Sequence, residues 1–231
     1  MSTLSRFDTC CICNSTASEA TGQLQRCSRC KVAYYCGQAC QKRSWRLHKK
    51  ICKDPPADLR FSEPSEGIPG VRLLGGFNWP FRPEAKVIPP SHPVWTKGSV
   101  SPISQIVGVP VLIYRELVEL ELGFPNDPNR DNQAVTFLMI NPQSGFASLR
   151  WQKNIGPVTV VRGDHKPLSE IALEMIWMYC DRVLDVFGED SSTPLKMYTK
   201  EAFDKFCQNY KEEALMNGLR VADFNAQELP I

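Results

Sequence analysis

Short apolar stretches separated by turn-forming residues dominate the chain from about residue 103 to residue 162. Val, Ile and Phe are frequent in these stretches, and polar segments rich in Pro and Asn or Gly interrupt them at 126–129 and 142–145. Such apolar stretches favour β-strands, and the interruptions favour turns. The pattern predicts four strands, at residues 109–114, 134–140, 146–151 and 157–162. Because most connections are short, we expect antiparallel pairing.

Helical spacing of apolar residues replaces this pattern towards the C-terminus. Residues 169–187 are apolar on nearly all sides, which predicts a buried helix. Residues 199–216 carry one apolar stripe, which predicts a helix packed by a single face. The stripe consists of Phe203, Phe206, Cys207, Tyr210 and Ala214. Cys180 and Cys207 are predicted to be buried structural thiols. Strands followed by helices predict a small α+β domain at residues 101–231.

Proline dominates the stretch before this domain. Residues 54–95 hold nine of the 18 prolines of the chain. Proline lacks a backbone N–H, so we expect neither a regular helix nor a central strand there. The stretch is too apolar for a wholly solvated tether. We therefore predict a linker at residues 54–100 that packs in part against the next domain, through Phe77, Trp79, Phe81 and Trp95.

Residues 1–53 differ from the rest in their cysteine content, since they hold eight of the ten cysteines. Pairs of ligands two or three residues apart can present both members to one zinc ion, and zinc takes four thiolate or imidazole ligands. Seven cysteines and one histidine fit this spacing and suffice for two complete sites. The sequence predicts two zinc ions in closed, structural sites. The eight ligands are Cys10, Cys13, Cys27, Cys30, Cys36, Cys40, His48 and Cys52.

Local structure is also predicted around these ligands. His48 and Cys52 are four residues apart, and neither Pro nor Gly interrupts 40–52, which predicts a helix with both ligands on one face. Residues 32–35 predict a short strand. Cys11 lies beside Cys10, and Cys10 is preferred because it keeps the usual two-residue gap to the next ligand. We interpret Cys11 as a spare surface cysteine, with a redox role as the alternative.

The ligand order resembles the MYND-type zinc finger, with CxxC, CxxC, C-x3-C and then H-x3-C. Tyr34-Tyr35-Cys36-Gly37 and the segment Cys40-Gln41-x3-Trp45-x2-His48-Lys49 match that family as well. The HIT-type finger shares the first six ligands but usually has a shorter gap before its histidine and lacks the tryptophan. The resemblance implies interleaved sites. It places Cys10, Cys13, Cys36 and Cys40 on one zinc ion, and Cys27, Cys30, His48 and Cys52 on the other.

Gln41 and Trp45 lie one helical turn apart on the predicted helix. In MYND fingers the matching positions contribute to a groove for proline-containing peptides, which implies a peptide-binding role for both residues. The alternative is that Trp45 fills the small core of the finger. We expect a protein or proline-rich peptide as partner, and the sequence predicts no oligomeric state.

The charge of the chain is uneven. The net charge is +2, but residues 1–53 hold 10 Lys and Arg against 2 Asp and Glu, whereas residues 54–231 hold 17 against 23. Ligation of two Zn²⁺ by seven thiolates lowers the finger from +8 to about +5. Because the finger remains positively charged, nucleic acid is an alternative partner. We interpret the basic surface as a solvated face or one that attracts acidic partners, because no nucleic-acid recognition motif is present.

No catalytic motif is found in residues 101–231, and the motifs of SET-domain methyltransferases are absent. His92 and His165 lie in Pro- or Gly-rich loops, which predicts exposure, whereas Asp164 and Asp181 remain candidates for an acid or base. Segments 101–104 and 156–168 are similar to the C-terminal regions of uncharacterised fungal MYND-finger proteins, a resemblance that implies no activity. An enzyme of unknown class at residues 100–231 is the alternative to a non-enzymatic adaptor.

The location of the protein is predicted from what the sequence lacks. No signal segment opens the chain, and no window approaches the roughly 18 apolar residues of a membrane span. Cysteines remain available for zinc in a reducing compartment. We therefore expect an intracellular protein of the cytoplasm, the nucleus or both. The leading hypothesis is a zinc-binding adaptor that recognises a proline-containing peptide, with a role in transcriptional regulation suggested by the resemblance alone.

Overall fold

A computed structural model of the chain describes most of the predicted elements. The described residues are 10, 24–29, 34–52, 64–76, 81–117, 127–142, 144–185 and 197–218. None of the helices in this part of the chain is long and apolar enough to cross a membrane.

The N-terminal elements are a two-stranded antiparallel ribbon and one helix. Strand β1 (Gln25–Arg26) pairs with β2 (Tyr34–Tyr35), and helix α1 spans Gln38–Ile51. The predicted helix is confirmed: α1 ends where the N–H of Cys52 donates to the carbonyl of His48 at 2.7 Å. Strand β2 is the last part of the predicted strand at 32–35, whose first two residues lie outside the described residues.

A five-stranded antiparallel sheet forms the centre of the remaining structure, in the order β4-β3-β7-β6-β5. Its strands are β3 (Ile68–Leu73), β4 (Pro83–Ile88), β5 (Ser99–Val100), β6 (Val111–Arg115) and β7 (Val158–Arg162). Strands β6 and β7 confirm the predictions at 109–114 and 157–162 within two residues. The antiparallel pairing is also confirmed.

Five helices accompany the sheet among the described residues. They are α2 (Val94–Lys97), α3 (Ser104–Val107), α4 (Gln133–Leu138), α5 (Glu170–Asp185) and α6 (Lys200–Met216). Helix α5 is buried along most of its length, as predicted, and residues 186–187 of that prediction lie outside the described part. Helix α6 buries Phe203 and Cys207, and Phe206, Tyr210 and Ala214 pack partly buried beside them, which confirms the stripe. The fold is α+β, as predicted.

Both faces of the sheet are covered near its centre. Val71, Val158 and Val160 belong to the main core, which also contains α4, α5 and α6 residues. On the opposite face, Leu112 and Val161 pack with Val94 and Trp95 of α2 in a second, smaller core. This arrangement explains why the consecutive residues Val160 and Val161 are both apolar, because a central strand covered on both faces buries neighbouring positions on opposite sides.

The expectation that residues 54–95 hold no central strand is wrong, since β3 lies between β4 and β7 in the sheet. Pro69 is tolerated because β3 pairs with β7 only from Val71 to Leu73, so that a second neighbouring strand is missing at the proline. Pro83 is the first residue of β4, which is an edge strand. These are the two strand positions at which a missing N–H costs least.

Two of the four aromatic side chains named in the proline-rich stretch are buried. Phe81 is buried and stacks on Trp177, with ring centroids 5.0 Å apart. Trp95 is buried in the second core. Phe77 and Trp79 lie outside the described residues. The boundaries 1–53, 54–100 and 101–231 stay a prediction.

Two predicted strands are wrong. Residues 134–140 mostly form helix α4, which buries Ala134, Val135 and Leu138 at helical spacing. The Asn132 side chain accepts the N–H of Val135 at 3.3 Å and so caps the helix. A short apolar run does not distinguish a strand from a buried helix by periodicity. Residues 146–151 contribute one isolated bridge, Ile140 to Ala147, and a 3₁₀ turn.

Candidate metal centres

The first cluster of candidate ligands lies at the start of α1. The ligand atoms of Cys10, Cys36 and Cys40 all lie within 4.8 Å of one another. The Sγ atoms of Cys36 and Cys40 are 3.4 Å apart, because Gly37 turns the chain from β2 into α1 between them. Cys10 and Cys40 are buried. Cys13, the fourth predicted ligand, lies outside the described residues, as does Cys11.

The second cluster lies at the other end of α1. Cys27, His48 and Cys52 are all buried, and their ligand atoms lie within 4.8 Å of one another. The Sγ atom of Cys27 is 3.3 Å from Nε2 of His48 and 3.7 Å from Sγ of Cys52. Cys27 directly follows β1, whereas His48 and Cys52 belong to the last turn and the C-cap of α1. Cys30 lies outside the described residues.

These distances fit tetrahedral zinc. With Zn–S bonds of about 2.3 Å, two sulfur ligands are about 3.8 Å apart, and a sulfur and an imidazole nitrogen are about 3.6 Å apart. The described cysteines are all free of disulfide bonds. The two clusters of cysteine and histidine side chains can therefore hold two ions.

The small core between the clusters is built on Tyr35. Its ring is buried and lies edge-on to His48, with centroids 6.2 Å apart. Its hydroxyl lies 3.2 Å from Oγ of the buried Ser44. Tyr35 thus positions α1 against β2 and supports the ring of a candidate ligand. Sequence reasoning did not assign this role, although a tyrosine next to the third cysteine pair was a visible signal.

Trp45 lies at the rim of the same structure and keeps 44% of its surface exposed. Its ring packs against His48 with centroids 5.9 Å apart and a tilt of 52°. Gln41, one turn earlier on α1, is partly exposed. The helix therefore presents an indole that is supported from below by a candidate zinc ligand and open to solvent on its outer side.

Comparison with known proteins agrees with this geometry. The family model described as the MYND finger matches residues 10–52, the segment that contains both clusters and α1. Residues 10–52 are a MYND finger. A MYND finger is a zinc-binding module for protein–protein interaction. No solved structure matches the chain.

Similar proteins share only the MYND finger with this chain. Histone-lysine N-methyltransferase ASHR1 of Arabidopsis thaliana is 44% identical over 50 residues, which cover 19% of this chain and 10% of that protein. Human histone-lysine N-methyltransferase SMYD3 is 45% identical over 53 residues, 23% of this chain and 11% of that protein. Tudor domain-containing protein 1 of Danio rerio is 38% identical over 53 residues, which cover 22% of this chain and 4% of that protein. The matched segment spans about a tenth or less of each relative.

Outside the MYND finger, the predicted exposure of two histidines is wrong because both rings pack against aromatic side chains. His92 is half-buried beside Tyr114, with ring centroids 5.5 Å apart, and its Nδ1 accepts the N–H of Val94. Burial lowers the pKa of His92, and the nearby Glu116 opposes this only in part. His165 is half-buried against Trp95 at 5.3 Å.

The two candidate carboxylates lie in different settings. Asp164 accepts two hydrogen bonds from Arg162, at 2.9 and 2.6 Å. Burial raises the pKa of Asp164, but these bonds and the charge of Arg162 outweigh it, so that the pKa lies below its usual range. Asp181 lies on α5, where burial and then the charge of Asp185 raise its pKa. Asp164 thus forms an ion pair with Arg162, the last residue of β7.

A network of polar side chains crosses the sheet, and sequence reasoning did not find it. Arg72 of β3 donates to Glu116 at 2.7 to 2.9 Å and to Glu84 of β4 at 3.4 Å. Thr159 of β7 donates to Glu116 at 3.1 Å. Burial raises the pKa of Glu116, but these partners hold it below its usual range. The partners are far apart in sequence, and only the strand register brings them together.

The two cysteines outside the finger are buried, as predicted. Cys180 lies on α5 and Cys207 on α6. Burial raises the pKa of each thiol to about 12. Both thiols are therefore neutral at physiological pH and unsuited to nucleophilic chemistry.

Proposed function

We propose that this chain is a non-enzymatic, zinc-binding adaptor whose MYND finger recognises a proline-containing peptide. The observation that carries this proposal is the exposure of Trp45. Tyr35 lies in the buried cluster of the finger, whereas Trp45 lies outside that cluster and keeps 44% of its surface exposed, which a ligand can contact. Tryptophan is costly to leave in water, and exposed tryptophans are enriched at interaction sites.

The proposed metal ligation uses both clusters. Cys10, Cys13, Cys36 and Cys40 hold one zinc ion, and Cys27, Cys30, His48 and Cys52 hold the other. Each ion then has four protein ligands, which leaves no position for water or substrate. Zinc therefore supports the shape of the finger. Helix α1 supplies ligands near both of its ends, so that the two sites fix its position against β1 and β2.

The proposed peptide site combines an apolar platform with backbone hydrogen bonding. A proline-containing segment in extended or polyproline II conformation loses little entropy on binding. The Trp45 indole supplies the surface for a proline ring, and the Gln41 amide supplies a donor and an acceptor one turn away. The edge of the β1–β2 ribbon supplies backbone groups for an added strand. The finger therefore offers an apolar surface, a side-chain amide and backbone groups to such a ligand.

Two alternatives receive less support. For an enzyme with its active site at residues 100–231, Asp164 is already paired with Arg162, and Asp181, whose pKa is raised by burial and by Asp185, is left as the candidate acid or base. The methyltransferase relatives match the finger alone, so the match gives no support for their chemistry in this chain. Direct nucleic-acid binding by the basic finger would need several stacking side chains, and since Tyr35 is buried, Trp45 is the exposed large aromatic side chain among those described in the finger. We place the protein in a reducing compartment, the cytoplasm or nucleus, where thiolates remain available for zinc.

Trp45→Ala tests the proposal in the full-length, zinc-loaded chain. The probe is a pool of nine-residue peptides with a central Pro-Pro and mixed Ala, Leu, Val and Ser elsewhere. We expect binding, measured by fluorescence anisotropy, to weaken by about 30-fold or more in the variant, the range of a central aromatic contact. Bound zinc, measured by native mass spectrometry, is expected to remain at two ions per chain.

Phe146→Ala is the matched control, because Phe146 is an aromatic residue 68% exposed outside the finger. It is expected to bind the pool like the wild type. Equal binding by the wild type and Trp45→Ala would rule out the assigned groove. Weakened binding together with loss of zinc would instead show that Trp45 maintains the finger.

A further inference from the structure

Exposed positive charge surrounds Trp45 on helix α1. Lys42 lies three residues before Trp45 and Lys49 four residues after it, so both share its side of the helix. Both lysines are exposed, as is Arg43 beside Lys42. The sequence of α1 contains five Lys and Arg and no Asp or Glu. The exposed indole is thus flanked by a cation at each end.

These charges are not neutralised by the finger itself. No acidic residue occurs between Ala20 and Lys53. Within the described residues, neither Lys42 nor Lys49 takes part in an ion pair. The zinc thiolates reduce the net charge of the finger only to about +5, and among the described ligands Cys10, Cys27, Cys40 and Cys52 are buried. Lys42 and Lys49 are therefore available to a ligand.

We propose that the peptide recognised by the finger is acidic on both sides of its proline, with one carboxylate at Lys42 and one at Lys49. This inference rests on the proposed function and adds the charge of the ligand. Seven residues of α-helix separate the two lysines by about 10 Å along the axis. A polyproline II segment rises about 3 Å per residue. Two acidic residues three to five positions apart, with the proline between them, match that spacing.

The expected contribution is modest, because the lysines are exposed. An exposed ion pair changes affinity by about two- to fivefold, and two pairs together by about four- to twentyfold. Salt screens such pairs, so the preference is expected to disappear near 0.5 M NaCl, where the Debye length is about 4 Å. The contact of proline with Trp45 is apolar and is expected to persist there.

Three peptide pools test the inference with the full-length, zinc-loaded chain. Each pool has a central Pro-Pro and mixed Ala, Leu, Val and Ser, and the two residues that flank Pro-Pro are both Glu, both Gln or both Lys. The wild type is expected to bind the Glu pool four- to twentyfold more tightly than the Gln pool at 0.1 M NaCl. The double variant Lys42→Glu, Lys49→Glu is expected to prefer the Lys pool over the Glu pool.

Lys153→Glu is the control, since Lys153 is an exposed lysine outside the finger, and it is expected to keep the preference for Glu. Binding of all pools through Trp45 without preference for Glu would overturn this inference and leave the proposed function intact. A preference for Glu that is unchanged in the double variant would also overturn it. Failure of every pool to bind would contradict the proposed function itself. Tighter binding to a single-stranded oligonucleotide, dependent on Lys42 and Lys49, would favour nucleic acid instead.

Discussion

Two aromatic residues of the finger have different environments, and the proposed function rests on this difference. Tyr35 is buried and reaches both Ser44 and His48, so its contribution is to stability. Trp45 contacts His48 from the outside and remains exposed. Sequence alone left open whether Trp45 fills the core, because an i, i+4 position on a helix does not tell which side is covered. The structure shows that Tyr35 lies in the buried cluster of the finger and that Trp45 lies outside it.

Side chains that act across the strand register were also beyond sequence reasoning. Asn132 follows a polar segment and carries no motif, yet its amide donates to the carbonyls of Leu73 and Gly156 at 3.3 and 3.0 Å. Its Oδ1 also accepts the N–H of Val135. One buried side chain therefore joins β3, the start of β7 and helix α4.

Asn132→Ala is expected to lower the free energy of unfolding by about 2–4 kcal/mol. It removes a helix cap and leaves two buried carbonyls without their donor. Urea unfolding followed by circular dichroism measures the change. Gln133→Ala, an exposed neighbour in the same helix, is the control and is expected to alter stability by less than about 0.5 kcal/mol. A loss below 1 kcal/mol for Asn132→Ala would contradict the assigned role.

Among the helices and strands, those defined by signals between neighbouring residues were predicted correctly, and those defined by contacts between distant residues were not. Helix α1 was predictable because ligand spacing and the absence of Pro or Gly are local signals, and α6 because its apolar stripe is local too. Strand β3 was not, since Pro69 is compatible with a strand only where β7 does not pair with it. Helix α4 was mistaken for a strand because its capping residue bonds to distant carbonyls that fix its conformation.

Removal of zinc is expected to unfold the finger elements and to leave the sheet intact. Apparent binding energies of structural zinc, about 10–16 kcal/mol per site, are folding energy for a segment with so small a core. The main core around β7 contains no candidate ligand. Hydrogen exchange with and without a chelator measures this directly. Loss of protection is expected at 38–51 and retention at 158–162; equal loss in both segments would show that the sheet depends on the metal.

At the scale of the whole molecule, two kinds of stabilisation occur in one chain. The finger is held by two clusters of cysteine and histidine side chains around Tyr35. The sheet is held by an apolar core with helices on one face and a smaller core on the other. A surface supported by metal sites stays rigid without a large core, which suits recognition of a short peptide.

The central claim is that the zinc-supported Trp45 contacts a proline-containing peptide. The most direct measurement is the ¹H–¹⁵N spectrum of the full-length, zinc-loaded chain, in which each of the five tryptophans contributes one indole N–H signal. Trp45→Phe assigns the signal of interest. On addition of the Pro-Pro peptide pool, the account predicts a saturable shift of the Trp45 signal and none for the buried Trp95. An unchanged Trp45 signal, with shifts confined to residues 101–231, would contradict it.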